Sequence, residues 1–141
     1  MSKTGPILLI EDDIDDKELF EQALKDLGIP NKLIWHQSPE DGFDFLSATE
    51  LPVFLIFCDI NMPLLNGLDF KRSIDNDPSL RQKSIPFVFY STSANQRDVN
   101  DAYTHLAVQG FFKKKTDYSA MKDQIKLIVD YWSVCIHPNT Q

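Results

Sequence analysis

The segment Val53–Phe54–Leu55–Ile56–Phe57–Cys58–Asp59–Ile60–Asn61–Met62–Pro63 decides how this chain is read, because six apolar residues run without a break into a single acid. The run is too short to span a membrane and rich in residues that favour strands, so it predicts a strand buried on both faces. Such strands belong to parallel sheets, in which ligands gather outside the carboxyl ends at a topological switch point. Pro63 cannot continue a ladder and biases Met62 away from helix, so the chain turns there and leaves Asp59 in a loop. An acid in that position is a nucleophile, a metal ligand or a solvated strand terminus.

A second acidic cluster narrows those options. Ile7–Leu8–Leu9–Ile10 is another short apolar run, and it ends in Glu11–Asp12–Asp13. Apolar residues at helical spacing follow, and Gly28 and Pro30 stop them, which predicts a helix over about residues 14–27. Asp13, Asp15 and Asp16 suit the positive end of that helix and are expected to be solvated.

Further along, Lys32–His36 reads as a second strand, and Ser38–Pro39 as the cap and first position of a second helix carrying Phe43, Phe45 and Leu46. After Asn66–Gly67 a third helix carries Leu68, Phe70 and Ile74 and ends near Asp77–Pro78. Ile85–Tyr90 is a fourth strand leading into Ser91–Thr92–Ser93. Val99, Ala102, Tyr103 and Leu106 mark a fourth helix, and Gly110–Phe112 a fifth strand running into Lys113–Lys114–Lys115. Residues 117–132 form the last helix. Five strands alternating with five helices predict an α/β fold, doubly wound as (βα)5 around a five-stranded parallel sheet. The whole chain, residues 1–141, reads as one domain with its core over 7–132 and a short tail.

Composition excludes several functions. A net charge of −7 argues against a nucleic-acid partner, which needs a clustered basic surface. No apolar stretch reaches membrane-spanning length, and the start lacks a signal-peptide core, so the cytoplasm is the expected compartment. Cys58 and Cys135 form neither a metal-ligand pair nor a disulfide framework, and His36, His105 and His137 lack ligand spacing.

In a parallel sheet all strand carboxyl ends share one edge. Glu11, Asp12, Asp59, Ser91 and Lys114 can therefore converge there. Like charges about 4 Å apart repel by roughly 4 kcal/mol at an effective dielectric near 20, so the acids need a cation or a proton. A hard divalent ion, magnesium above all, is the natural relief, and with the hydroxyl and the ammonium it completes a phosphoryl-transfer site.

The motifs Ile-Leu-Leu-Ile-Glu-Asp-Asp, Asp-Ile-Asn-Met-Pro, Ser-Thr-Ser and Phe-Phe-Lys-Lys, in that order over residues 7–132, resemble the CheY-like receiver domain of two-component response regulators. The flavodoxin-like three-layer sandwich is the fold this resemblance implies. Asp130–Tyr131–Trp132 and the long loop before the fourth strand resemble the single-domain regulators that partner bacterial and cyanobacterial phytochrome kinases.

The resemblance implies a stand-alone regulator whose Asp59 accepts a phosphoryl group from a histidine kinase and which signals through protein contacts. Glu11, Asp12, Asp59 and the backbone carbonyl of Asn61 would hold the ion. Ser91 would be the switch hydroxyl, Lys114 the active-site lysine, and Phe111 the switch aromatic. The family usually places a cis proline after that lysine; here Lys115 stands there. Tyr131, Trp132, Val134 and Ile136 are more apolar than a free tail requires and predict a homodimer, the alternative being a tail folded back on its own domain.

Three rivals remain. One is a receiver with lapsed chemistry that only docks partners. A second is an aspartyl-phosphate hydrolase, for which Asn61 stands where an acid is needed. A flavodoxin-like cofactor binder is opposed by the acids of the first loop.

Overall fold

A computed structural model describes residues 2–60, 66–92, 96–106 and 108–136. Five strands, β1 Ile7–Ile10, β2 Leu33–His36, β3 Leu55–Cys58, β4 Phe87–Ser91 and β5 Gly110–Lys113, form one sheet in the order β2-β1-β3-β4-β5. Every neighbouring pair is parallel. The order reverses between β1 and β3, so the crevice outside their carboxyl ends is the switch point.

Helices α1 Ile14–Asp26, α2 Pro39–Ala48, α3 Gly67–Asn76, α4 Pro78–Lys83, α5 Gln96–His105 and α6 Tyr118–Val134 cover the sheet. The strand alternation explains why the apolar runs are continuous. Leu8, Ile10, Ile56, Cys58, Phe87 and Phe89 point to one face, under α2 to α5, with Leu46, Phe70 and Ile74 packed on them. Ile7, Leu9, Leu55, Phe57, Val88 and Tyr90 point to the other, under α1 and α6, against Phe20, Ile125 and Ile128. Both faces are dry, as a central parallel strand demands. Phe57 shows how tightly: its ring meets Phe20 edge-on at 4.9 Å and Tyr90 at 5.9 Å.

Local chemistry sets the helix starts. Asp13 accepts from the backbone N–H of Asp15 at 2.8 Å and of Asp16 at 3.2 Å, which caps α1. Ser38 caps α2 through the Asp41 N–H at 3.2 Å, with Pro39 at the first helical position. Replacing Ser38 by Ala should therefore cost about 1 kcal/mol; urea unfolding monitored by circular dichroism measures it as a lower midpoint at unchanged slope.

Two expectations need correction. A sixth helix, α4, occupies a stretch expected to be loop. Asp77 explains it, because its carboxylate accepts from the Ser79 and Leu80 N–H groups while its own N–H donates to the Ile74 carbonyl, ending one helix and starting the next. Tyr103, expected on an apolar stripe, is 54% exposed. Its hydroxyl instead accepts from the backbone N–H of Phe111 at 3.1 Å, meeting a donor on edge strand β5 that has no further strand beside it.

Smaller shifts concern ends. β3 starts at Leu55, although Phe54 still donates to the Pro6 carbonyl at 2.8 Å, and α6 runs two residues past Trp132. No peptide among the described residues is cis, so the Lys114–Lys115 bond is trans.

Candidate phosphoacceptor site

The strand ends converge as expected. Glu11 and Asp12 follow β1, Asp59 follows β3, Ser91 ends β4 and Lys114 follows β5. Paired register holds the first two clusters together, since Ile10 lies opposite Cys58 and the Asp59 N–H donates to the Ile10 carbonyl at 3.0 Å. Glu11, Asp12 and Asp59 each offer a carboxylate oxygen within 4.8 Å of the others. Glu11 and Asp59 are buried, and Asp12 is half-buried at the mouth.

Donors surround the central acid. Ser91, fully buried, donates from Oγ to Asp59 Oδ1 at 2.7 Å. Lys114 Nζ lies 3.6 Å from Asp59 Oδ2 and 3.3 Å from Asp16 Oδ2, and it pairs with Glu11 Oε1. Its side chain is only 9% exposed, while Lys113 and Lys115 are exposed. That settles which of the three consecutive lysines enters the pocket. The backbone helps, for the Lys114 N–H donates to the Ser91 carbonyl at 2.8 Å.

The electrostatics follow from crowding. Burial pushes the Glu11 carboxyl up to about 7, against the pull of Lys114, with Asp59 adding to the rise. Burial alone would lower the Lys114 ammonium, but Glu11, Asp59 and Asp16 together hold it above its ordinary value. Burial also raises the neighbouring Cys58 thiol, which makes it inert packing at the end of β3.

Three oxygen donors of the hardest kind, two of them beside the Lys114 ammonium, fit a divalent cation that takes oxygen ligands. The backbone carbonyl of Asn61, expected as a further ligand, lies outside the described residues. Phe111 is half-buried, its ring 5.5 Å from Phe89.

Three participants were not foreseen. Asp16, expected to be a solvated helix-start acid, is half-buried and pairs with Lys114. Trp35 donates its indole N–H to the Glu11 carbonyl at 2.7 Å. The Tyr90 ring lies 5.7 Å from Lys114 Nζ, a cation–π approach that steadies the ammonium.

This arrangement has relatives. Residues 7–126 match the response regulator receiver domain. The chain belongs to the receiver family of two-component response regulators. It is 29% identical to response regulator Rcp1 of Synechocystis over 89% of this chain and 87% of that protein. The crystal structure of the phosphorylated cyanobacterial phytochrome response regulator RcpA superposes with a TM-score of 0.84 at 28% identity, covering 95% of this chain and 98% of that one. The Mn(2+)-bound form of Rcp1 superposes at 0.78 and 27% identity, over 92% and 95%.

The receiver fold and its role as a signalling module in a histidine-kinase phosphorelay are thereby shown, with a divalent-cation pocket as the family's common feature. Among the described residues no helix is long and apolar enough to cross a membrane.

Proposed function

We propose that Asp59 of this receiver accepts the phosphoryl group, with Glu11, Asp12 and Asp59 holding magnesium. The observation that carries this reading is the buried Asp59 carboxylate with a hydroxyl on one oxygen and an ammonium beside the other. In the transfer, an Asp59 carboxylate oxygen forms the bond to phosphorus as the phosphorus–nitrogen bond to the kinase imidazole breaks. The imidazole leaves with that electron pair. Lys114 and Ser91 are already within reach to donate to the incoming oxygens, so little rearrangement precedes the chemistry. When bound, the ion neutralises negative charge shared by the carboxylates and the phosphoryl oxygens.

The phosphoryl group brings roughly −1.5 to −2 charges, and its oxygens compete for the Ser91 hydroxyl. Because Ser91 already touches Asp59, its response reduces to retargeting one hydrogen bond. Phe111 then adjusts against Phe89, and the face of α5, β5 and α6 carries the output. Autodephosphorylation by water is the one turnover assigned to the site.

Partners follow from exposed apolar residues. Ile14 and Leu19 on α1 are 54% and 46% exposed beside the acidic pocket, which suits docking of a histidine kinase. That kinase is of the phytochrome type, by likeness to RcpA and Rcp1. Tyr131 and Val134 at the end of α6 and Ile136 just past it are 59%, 84% and 94% exposed, and we assign them to a homodimer. Residues 1–141 act as one cytoplasmic receiver unit without nucleic acid or membrane.

The site is tested by adding beryllofluoride or acetyl phosphate with magnesium and following Trp35 emission and intact mass. Trp35 holds the Glu11 carbonyl, so its emission should change only when magnesium is present; a flat response with unchanged mass refutes the reading. The dimer is tested separately by sedimentation of a chain shortened to end at Ser133. A monomer is expected, and undiminished association removes the tail from the interface.

A further inference from the structure

At the opposite end of the sheet, under the start of β4, the fold forms a partly open cavity of about 250 Å³ between α3, α4 and the strands. Its floor is apolar, with Ile56, Ile74, Leu80 and Phe87 in the lining, and polar side chains complete it. One of the polar residues is buried. Lys71 of α3 lines it and is only 5% exposed.

The Lys71 ammonium has three donors. It gives one to Asp75 Oδ1 at 2.7 Å and lies 5.2 Å above the Phe87 ring, and Asp75 is its one hydrogen-bonded acceptor among the described residues. A buried cation is costly unless its remaining donors are met. Two further donors stand at the same cavity: the exposed guanidinium of Arg81 at the rim, and Gln109, whose carboxamide oxygen is engaged by the Phe87 N–H at 2.7 Å. The Gln109 amide nitrogen is thus the donor end. Two cations against one carboxylate leave the lining positive although the whole chain is strongly acidic.

We infer that this cavity binds a small carboxylate with an apolar body, its carboxylate taking the spare donors of Lys71 and the charge of Arg81. The volume lies below the range of about 300–1,000 Å³ typical of drug-sized ligands, so the ligand is a short-chain or single-ring acid. The site is separate from the acids at the strand carboxyl ends. Its occupancy does not depend on whether Asp59 is phosphorylated.

The test uses the full chain, labelled for amide NMR and titrated with hexanoate and benzoate, then with hexanamide and benzamide. Saturable shifts at the amides of Ile85, Phe87 and Gln109 are expected with the acids. The neutral amides should bind about tenfold more weakly, as loss of a charge-assisted hydrogen bond implies. Lys71→Met fills the same space without charge and should shrink the difference between acid and amide to the about threefold that Arg81 supplies. Should that variant fail to fold, Arg81→Gln at the exposed rim should still weaken the acids about threefold, in line with a solvated charge. No saturable shift at those residues, shifts confined to another surface, or equal binding of acid and amide would each overturn the inference.

Discussion

Asp59→Asn should abolish phosphorylation outright: no gain in mass with acetyl phosphate, and no magnesium-dependent change in Trp35 emission with beryllofluoride. The amide has the shape of the carboxylate, so the Ser91 hydroxyl keeps a carbonyl oxygen to donate to, and the fold should survive. What disappears is the proposed nucleophilic oxygen and one of the three carboxylates that would hold the ion. Loss of an outer-shell partner already weakens metal sites by about 10–100-fold, so loss of a direct ligand should weaken magnesium binding at least that much.

Thermal stability provides the discriminating control. Removing a charge from a buried group of acids relieves repulsion, although it also removes one of the partners of Lys114. Glu11 and Asp16 still hold that ammonium, so the melting temperature should hold or rise while phosphorylation is lost. A variant that still gained mass would place the reactive group elsewhere; one that lost both folding and chemistry would make Asp59 structural. The same experiment separates a working receiver from one that only docks partners, because only the former loses a magnesium response on this substitution.

Much of this site was legible because it obeys two short-range rules. An apolar run ending in acid marks a buried strand with its carboxyl terminus at the functional edge, and parallel topology brings all such ends to one place. Glu11, Asp59 and Ser91 follow from that alone. Lys114 was chosen among three lysines by the resemblance, and the structure agrees, for its side chain is buried while Lys113 and Lys115 are exposed. Asp16 and Trp35 escaped notice because their roles are tertiary: one reaches across from α1, the other donates from edge strand β2 to the backbone oxygen of Glu11 just past β1. Helix α4 was legible and missed, for Asp77–Pro78 is the same cap-then-proline pattern that correctly marked α2 at Ser38–Pro39. Tyr103 misled because periodicity identifies a stripe without saying whether a phenol at its margin faces core or edge.

Gly67→Ala should damage the site more than its distance from the chemistry suggests. Gly67 opens α3 behind the Asn66 cap, and its N–H donates to the Ile60 carbonyl at 3.0 Å. A Cβ there would stand 2.3 Å from the Asp59 carbonyl oxygen and 3.0 Å from the Ile60 Cα. Two effects oppose each other. Alanine favours helix over glycine by about 1 kcal/mol, whereas overpacking costs typically 1–3 kcal/mol and occasionally more. The clash wins, because both contacts are backbone and neither can rotate away. The segment carrying Asp59 must shift instead, and a misplacement near 1 Å can cost about 10²-fold in rate. Phosphorylation by acetyl phosphate should therefore slow by about that factor, with a lower urea midpoint. Gly42→Ala is the matched control: its Cβ would meet the Ile10 Cδ1 at 2.4 Å, the far end of a side chain that can change rotamer. That variant should lose some stability and keep its phosphorylation rate. Equal rates for the two variants would show that the approach of α3 to Asp59 does not position the acid.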